Sequence, residues 1–197
     1  DKLMIATGAR AIIPPIKNVN LENVLTLKSM EDGNKIKALL SNPELKKVTI
    51  IGAGFIGLEA VEAAKQKGKE VTVVQLQDRV LAEVFDKEIT DLLEEEIRSH
   101  EVNLLLNETV LELGGDTKVN KVITNKGEFE TDLVILATGV RPNTEFITDD
   151  RIEKLRNGAI VVDKFGRTSI EDVYSAGDCA TINSYVTEKE AYVPLAT

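Results

Sequence analysis

Val48-Thr49-Ile50-Ile51-Gly52-Ala53-Gly54-Phe55-Ile56-Gly57-Leu58-Glu59 carries the strongest architectural signal in the chain. An apolar, β-branched run ends in spaced glycines and passes directly into a helical pattern, which predicts a strand, a tight turn and a helix N-terminus. Each glycine of the G-x-G-x-x-G spacing answers a separate need. Gly52 makes the turn, Gly54 lets backbone approach a pyrophosphate, and Gly57 lets helix and strand pack closely. The first N–H groups of the helix have no partner within it, and the helix dipole favours negative charge there by about 0.3–1 kcal/mol. The spacing therefore reads as a dinucleotide site. A glycine turn without a ligand is the plainer alternative, and the context on both sides argues against it. Ile56, Ala60, Ala63 and Ala64 follow at helical spacing, Gly68 marks a stop, and Val71-Thr72-Val73-Val74 completes a β-α-β unit.

Nearer the N-terminus, Leu3-Met4-Ile5-Ala6-Thr7-Gly8-Ala9 reads as a buried strand entering a small-residue turn, and Pro14-Pro15 breaks the backbone after it. Ser29 and Asp32 stand in capping-box spacing before a helix that runs to Leu40. Asp86 opens a further helix whose Ile89, Leu92, Leu93 and Ile97 predict a buried stripe, with Glu94, Glu95 and Glu96 toward water. The one histidine, His100, is expected at the exposed exit of that helix. From Val102 to Thr131, short β runs alternate with turns at Gly114-Gly115-Asp116 and Asn125-Lys126-Gly127, as in an antiparallel meander. Leu133 to Gly139 returns to the fully buried strand type and repeats the Ala-Thr-Gly ending of Ile5-Ala6-Thr7-Gly8, which points to two nucleotide-binding units. A β pair is expected at Ala159 to Val162, and Val173 to Asp178 is a strand that sets a carboxylate at a sheet edge.

Composition narrows the function. With 43% hydrophobic and 29% charged residues the chain has ordinary globular character, and no stretch approaches a membrane span of ~20 apolar residues. No signal peptide opens the sequence, so a cytoplasmic setting is expected. A net charge of −9 argues against nucleic acid or an anionic membrane as partner, because both need a basic face. The one cysteine, Cys179, allows neither an internal disulfide nor a multi-cysteine metal site, and no metal is expected. Its expected role is that of a small buried side chain.

Four stretches taken together carry a resemblance. Ala6-Thr7-Gly8, Gly52 to Glu59, Ala137-Thr138-Gly139-Val140-Arg141-Pro142-Asn143, and Tyr174-Ser175-Ala176-Gly177-Asp178-Cys179-Ala180 resemble, in this order, the flavin- and pyridine-nucleotide-dependent disulfide oxidoreductases. The branch is that of NADH oxidases, NADH peroxidases and coenzyme A disulfide reductases. The resemblance implies an α/β, Rossmann-like NAD(P)H domain with a parallel sheet and an antiparallel meander, flanked by pieces of a second Rossmann-like domain for FAD. The expected division is 1–28 and 148–197 for FAD and 29–147 for NAD(P)H. It implies that Gly52, Gly54, Phe55, Ile56, Gly57, Glu59, Gln75, Val84, Gly139 and Pro194 line NAD(P)H, Phe55 being the ring that covers the flavin. Ala6, Thr7, Gly8, Ala9, Lys28, Asp178 and Ala196 are implied on the FAD side.

In this family an N-terminal segment carries the first FAD fingerprint and the redox cysteine, and a C-terminal domain makes a homodimer. The expectation is that this chain is an excerpt lacking both, with no catalytic residue of its own and Phe55 and Glu59 positioning the nicotinamide. The parent would pass hydride from NAD(P)H to FAD and on to a disulfide, peroxide or oxygen. Rival readings are a nucleotide-binding module without activity, and a reductase for a protein partner of the ferredoxin or nitrite reductase type. At the strand end, 23 positions after Gly52, stands Gln75 where an acidic residue is usual. A neutral amide bonds a ribose 2′-OH without repelling a 2′-phosphate, and Arg79 is close enough in sequence to meet one. NADH is favoured, with NADPH left open.

Overall fold

The structure, a computed structural model, describes residues 1–194. Along the first half run β1 (Leu3–Ile5), β2 (Ala9–Ala11), β3 (Val24–Thr26), α1 (Met30–Leu40), β4 (Lys47–Ile51), α2 (Phe55–Gln66), β5 (Glu70–Val74) and α3 (Lys87–Ser99). Then come β6 (Asn103–Leu105), β7 (Val110–Gly114), β8 (Lys121–Thr124), β9 (Glu128–Glu130) and β10 (Leu133–Leu136). The last strands are β11 (Val140–Pro142), β12 (Val173–Ser175), β13 (Ile182–Asn183) and β14 (Glu190–Ala191). The chain packs as two units, Ala11–Gly139 and Asp1–Arg10 together with the stretch from Val140 onward.

The larger unit is built on a five-stranded sheet in the order β3-β10-β4-β5-β6, with every pairing parallel. Parallel strands need crossovers, so both faces must be covered, and the sequence accordingly runs apolar on both sides of each strand. Alternation assigns the faces. Ile50, Val73 and Ile135 pack with Ile36, Ala60, Ala64 and Ile97 of the helices. Ile51, Val74, Val134 and Leu136 pack with Leu113 and Val122 of the antiparallel sheet β7-β8-β9.

Three details depart from the sequence reading. β6 joins the parallel sheet through Thr72↔Asn103 to Val74↔Leu105, so the meander begins only at Val110. On α3, Ile89 and Leu92 are 52% and 66% exposed, while Thr90 and Ile97 are buried and Leu93 is partly so. The inward face is set by anchoring: Glu94 Oε1 accepts the Val80 N–H at 3.2 Å, which turns Glu94 toward the loop after β5 and the Ile89 and Leu92 positions outward. Third, Ala159 to Val162 forms single bridges, Lys154↔Ile160 and Ile160↔Ala180, in place of a strand pair. The two compact units divide after Arg10 and after Gly139, since β3 completes the parallel sheet beside β10 and thereby ties residues 11–28 to the larger unit.

In the smaller unit β1 and β12 lie parallel, Ile5 opposite Ser175, over a core of Ile5, Ile147, Ile152, Ile160, Val162 and Cys179. Cys179 is fully buried, as its size predicts. Arg10 binds Glu145 through two nitrogens on the surface of this unit. The guanidinium hydrogen bond pulls the Glu145 carboxyl down to about 2. A depressed carboxyl pKa stabilises above its ordinary value of 4.5 and ceases to do so as pH falls toward about 2. A side-chain NMR titration is expected to find Glu145 still ionised at pH 3, and Arg10→Ala to return its midpoint to the ordinary carboxylate range. A midpoint unmoved by Arg10→Ala would show that the pair does not form in solution.

Candidate functional site

The glycine-rich segment joins β4 to α2 within the larger unit. Gly52 has φ +104°, a left-handed value that other residues avoid, and a Cβ built there would stand 2.4 Å from the Ala137 carbonyl oxygen. A Cβ on Gly57 would stand 2.1 Å from the Gly52 carbonyl oxygen, so the helix start and the strand end touch through backbone. Gly54 is different: its backbone is ordinary and extended, and an added Cβ would meet nothing within 4 Å. It is also the N-cap of α2 and brings no side chain to the helix end. The outcome is a helix N-terminus with no side-chain cap, opening onto free space over a glycine. That arrangement suits an anionic group bound by backbone N–H donors. The cradle thus fits the diphosphate of a dinucleotide, on the ground that side chains are excluded where one would close it.

α2 buries Gly57, Ala60, Val61 and Ala64 against the sheet, whereas Ile56 and Ala63, expected on that face, are exposed. Ile56 instead faces a cleft of about 610 Å³ lined in part by Leu27, Lys28, Met30, Phe55, Ile56 and Glu59. Phe55, Ile56, Glu59 and Lys28 are therefore brought together. Phe55 is 46% exposed, and its ring meets that of Phe85 edge to face, with centroids 6.2 Å apart. The Lys28 N–H donates to Asp32 Oδ2 at 3.0 Å as part of the cap of α1, where Ser29 and Asp32 form the expected capping box.

Gly139 follows β10 with φ +95°, and its carbonyl accepts from the Ile12 N–H at 3.0 Å. Val84 is exposed on the loop after β5. Gln75 directly follows β5 and is only 8% exposed. Its Oε1 accepts the Ala53 N–H at 3.1 Å, and its Nε2 donates to Gln77 Oε1 at 2.9 Å and, more weakly, to the Arg79 carbonyl at 3.4 Å. Sequence reasoning placed Gln75 correctly at the strand end but carried no signal for the inward direction of its amide. Nor did it single out Gln77 and Glu83, which join through Nε2 and Oε1 at 3.1 Å.

The smaller unit gathers a second set. β1 and β12 end side by side and continue into Ala6-Thr7-Gly8 and Ala176-Gly177-Asp178, where Gly8 and Gly177 have φ +65° and +77°. Asn143 holds the first of these turns. Its N–H donates to the Gly8 carbonyl at 2.9 Å, its side-chain amide donates to the Thr7 carbonyl at 3.1 Å, and its own carbonyl accepts from Thr7 Oγ1 at 2.6 Å. Two of the sequence motifs, Ala-Thr-Gly and Arg-Pro-Asn, are thereby one structural device. Ala9 is buried, and the Asp178 carbonyl accepts from the Tyr192 hydroxyl at 3.0 Å. Burial beside Asp178 pushes the Tyr192 phenol up to about 12, so it stays a neutral donor. Pro194 lies in this unit, and Ala196 falls outside the described residues. Among the described residues no His, Cys, Asp and Glu cluster could hold a metal ion.

The family model for pyridine nucleotide-disulphide oxidoreductases matches residues 1–194. An NADH oxidase of Streptococcus pyogenes is 41% identical over 208 residues, covering all of this chain and 45% of its own length. An NAD(P)H coenzyme A polysulfide/persulfide reductase of Pyrococcus horikoshii is 41% identical over 196 residues, with 44% of its length covered. Among solved structures, the water-forming NADH oxidase of Lactobacillus brevis bound to NADH superposes with a TM-score of 0.92 at 35% identity, over 99% of this chain and 43% of that one. The chain spans a little under half the length of these relatives.

Proposed function

The chain belongs to the pyridine nucleotide-disulphide oxidoreductase family, and from that membership we propose that it is the NAD(P)H-binding portion of a flavin-dependent oxidoreductase. The single observation carrying this is the helix N-terminus at Gly54, which has no side-chain cap and opens onto free space where an added Cβ would meet nothing. A diphosphate there is met by backbone N–H donors, and Gly52 and Gly57 keep the cradle shallow. Phe55, Ile56 and Glu59 line the cleft beside it and serve the nicotinamide end: Ile56 gives an apolar wall, Phe55 a movable cover, and Glu59 an acceptor for the carboxamide or ribose. Val84, Gly139 and Pro194 complete the coenzyme contacts. Ala6, Thr7, Gly8, Ala9, Lys28, Asp178 and Ala196 belong to the FAD side in the same proposal.

When bound, NAD(P)H and FAD supply the hydride donor and acceptor, and the chain supplies orientation and exclusion of water. The final acceptor, whether disulfide, peroxide or oxygen, is chosen by the residues that meet the flavin in the whole protein. Assembly of the parent as a homodimer and a cytoplasmic setting are part of the proposal; no described helix is long and apolar enough to cross a membrane. Calorimetric titration with NADH is expected to give saturable binding at one site, displaced by ADP-ribose because the diphosphate supplies the anchoring group. Absence of saturable heat up to millimolar coenzyme, with the chain folded, would overturn the reading.

A further inference from the structure

We infer that Gln75 is a positioning residue that fastens the glycine-rich turn to the loop after β5, and that Glu83, held by Gln77 on that loop, makes the choice of NADH over NADPH. The inference rests on the coenzyme site proposed above. In dinucleotide folds a carboxylate at the end of the second strand bonds the ribose 2′-OH and repels a 2′-phosphate. That place is occupied here by an amide whose hydrogen-bonding groups are turned inward. Its carbonyl takes the Ala53 N–H and its NH2 reaches Gln77 Oε1 and the Arg79 carbonyl. An amide has two N–H donors, so none remains for a ribose.

What the amide does is join two segments. Ala53 lies between the first two glycines, and its carbonyl also accepts the Leu81 N–H at 3.1 Å. The loop from Gln77 to Phe85 is thus tied to the glycine turn directly through the Ala53 carbonyl and, by way of the Gln75 amide, through the Ala53 N–H. Gln77, having received Gln75 Nε2 on its oxygen, directs its own Nε2 to Glu83 Oε1 at 3.1 Å. The chain Ala53–Gln75–Gln77–Glu83 therefore ends in an exposed carboxylate, on the loop that leaves the ribose-binding strand end. This restores the negative charge that Gln75 lacks.

Other charges on the loop are accounted for. The Arg79 Nη2 donates to the Ala82 carbonyl at 2.9 Å, its Nε is buried without a partner, and its Nη1 lies 3.7 Å from Asp78 Oδ1. Arg79 braces the loop from within and is not presented as a phosphate ligand. Asp78 sits beside that guanidinium, which offsets its charge. Lys87 points to Asp91 on α3 at 2.6 Å, and Glu94 is engaged by the Val80 N–H.

The test is calorimetric titration of the chain with NADH and with NADPH, together with melting curves, for the parent and four variants. The parent is expected to bind NADH about tenfold more tightly, and Glu83→Gln to narrow that ratio by about fivefold through NADPH alone. Asp78→Asn is expected to leave the ratio unchanged. Gln75→Leu should weaken both coenzymes, since it loosens the turn that both share, and should narrow the ratio as well, since it releases Gln77 and with it Glu83. If that variant does not fold, Gln77→Leu, which frees Glu83 while leaving the buried Ala53 contact, is expected to narrow the ratio with little change in NADH affinity. A parent that prefers NADPH, a ratio unmoved by Glu83→Gln, or an NADH affinity unmoved by Gln75→Leu would overturn the inference and leave the coenzyme site intact. A folded parent that binds neither coenzyme would instead remove the site reading on which it rests.

Discussion

Gly54→Val is expected to leave the chain folded and to abolish coenzyme binding. Gly54 has φ −82° and ψ −175°, values open to any residue, and a Cβ there meets nothing within 4 Å. Valine is a poorer N-cap than glycine, so stability should fall by about 1 kcal/mol at most. Its methyl groups would nevertheless stand in the space above the helix N-terminus, where the diphosphate must come within hydrogen-bond reach of backbone. Affinity is expected to fall by about a hundredfold or more, because the anionic contacts are lost together. Gly52→Val is the contrasting case. Its Cβ would collide with the Ala137 carbonyl at 2.4 Å, and φ +104° is strained for a β-branched residue. The expected cost is about 3 kcal/mol or more, so binding and folding should fail together. Calorimetry and melting curves on both variants separate a turn kept glycine-rich for its ligand from one kept so for its shape. Full NADH affinity in Gly54→Val would mean that the free space is not where the coenzyme lies.

Ile135→Ala is expected to cost the most among the core substitutions. Ile135 is fully buried on β10, the strand hydrogen-bonded to both β3 and β4, and it packs in the helix-side core with Val48, Ile50, Ala60 and Val73. Truncation leaves a cavity that neighbours anchored in a parallel sheet cannot close. The expected loss is about 3–4 kcal/mol, with a melting temperature lower by roughly 10 °C. Urea unfolding should move to a lower midpoint with an unchanged slope. A loss below about 1 kcal/mol would mean that the sheet is less tightly packed around β10 than the structure has it.

Much of the larger unit was legible because its signals are local. β4, β5 and β10 are continuous β-branched or aliphatic runs, the capping box of α1 is written in Ser29 and Asp32, and the glycine spacing fixes the turn. Less legible was whatever depends on direction in space. On α3 the expected stripe and the buried face differ by about one residue, since Glu94 reaching Val80 outweighs the pull of Ile89 and Leu92. The strand at 103–105 belongs to the parallel sheet because Gln75 N–H and Thr72 to Val74 meet it, a pairing without a short-range sequence mark. The same holds at the candidate site. Its glycines could be read in sequence, but the inward turn of the Gln75 amide and the Gln77–Glu83 pair are products of packing. The joining of Thr7 and Gly8 to Asn143, over a sequence separation of 136 residues for the Thr7 contacts, likewise became visible only in three dimensions.

The most direct test is an amide NMR titration of the 15N-labelled chain with NADH. The Gly54, Phe55, Ile56 and Gly57 amides are expected to shift first and farthest, downfield as N–H groups donate to phosphate oxygens, and Gly54→Val is expected to remove those shifts. Saturable binding that left these four amides unmoved would contradict a diphosphate at this helix N-terminus.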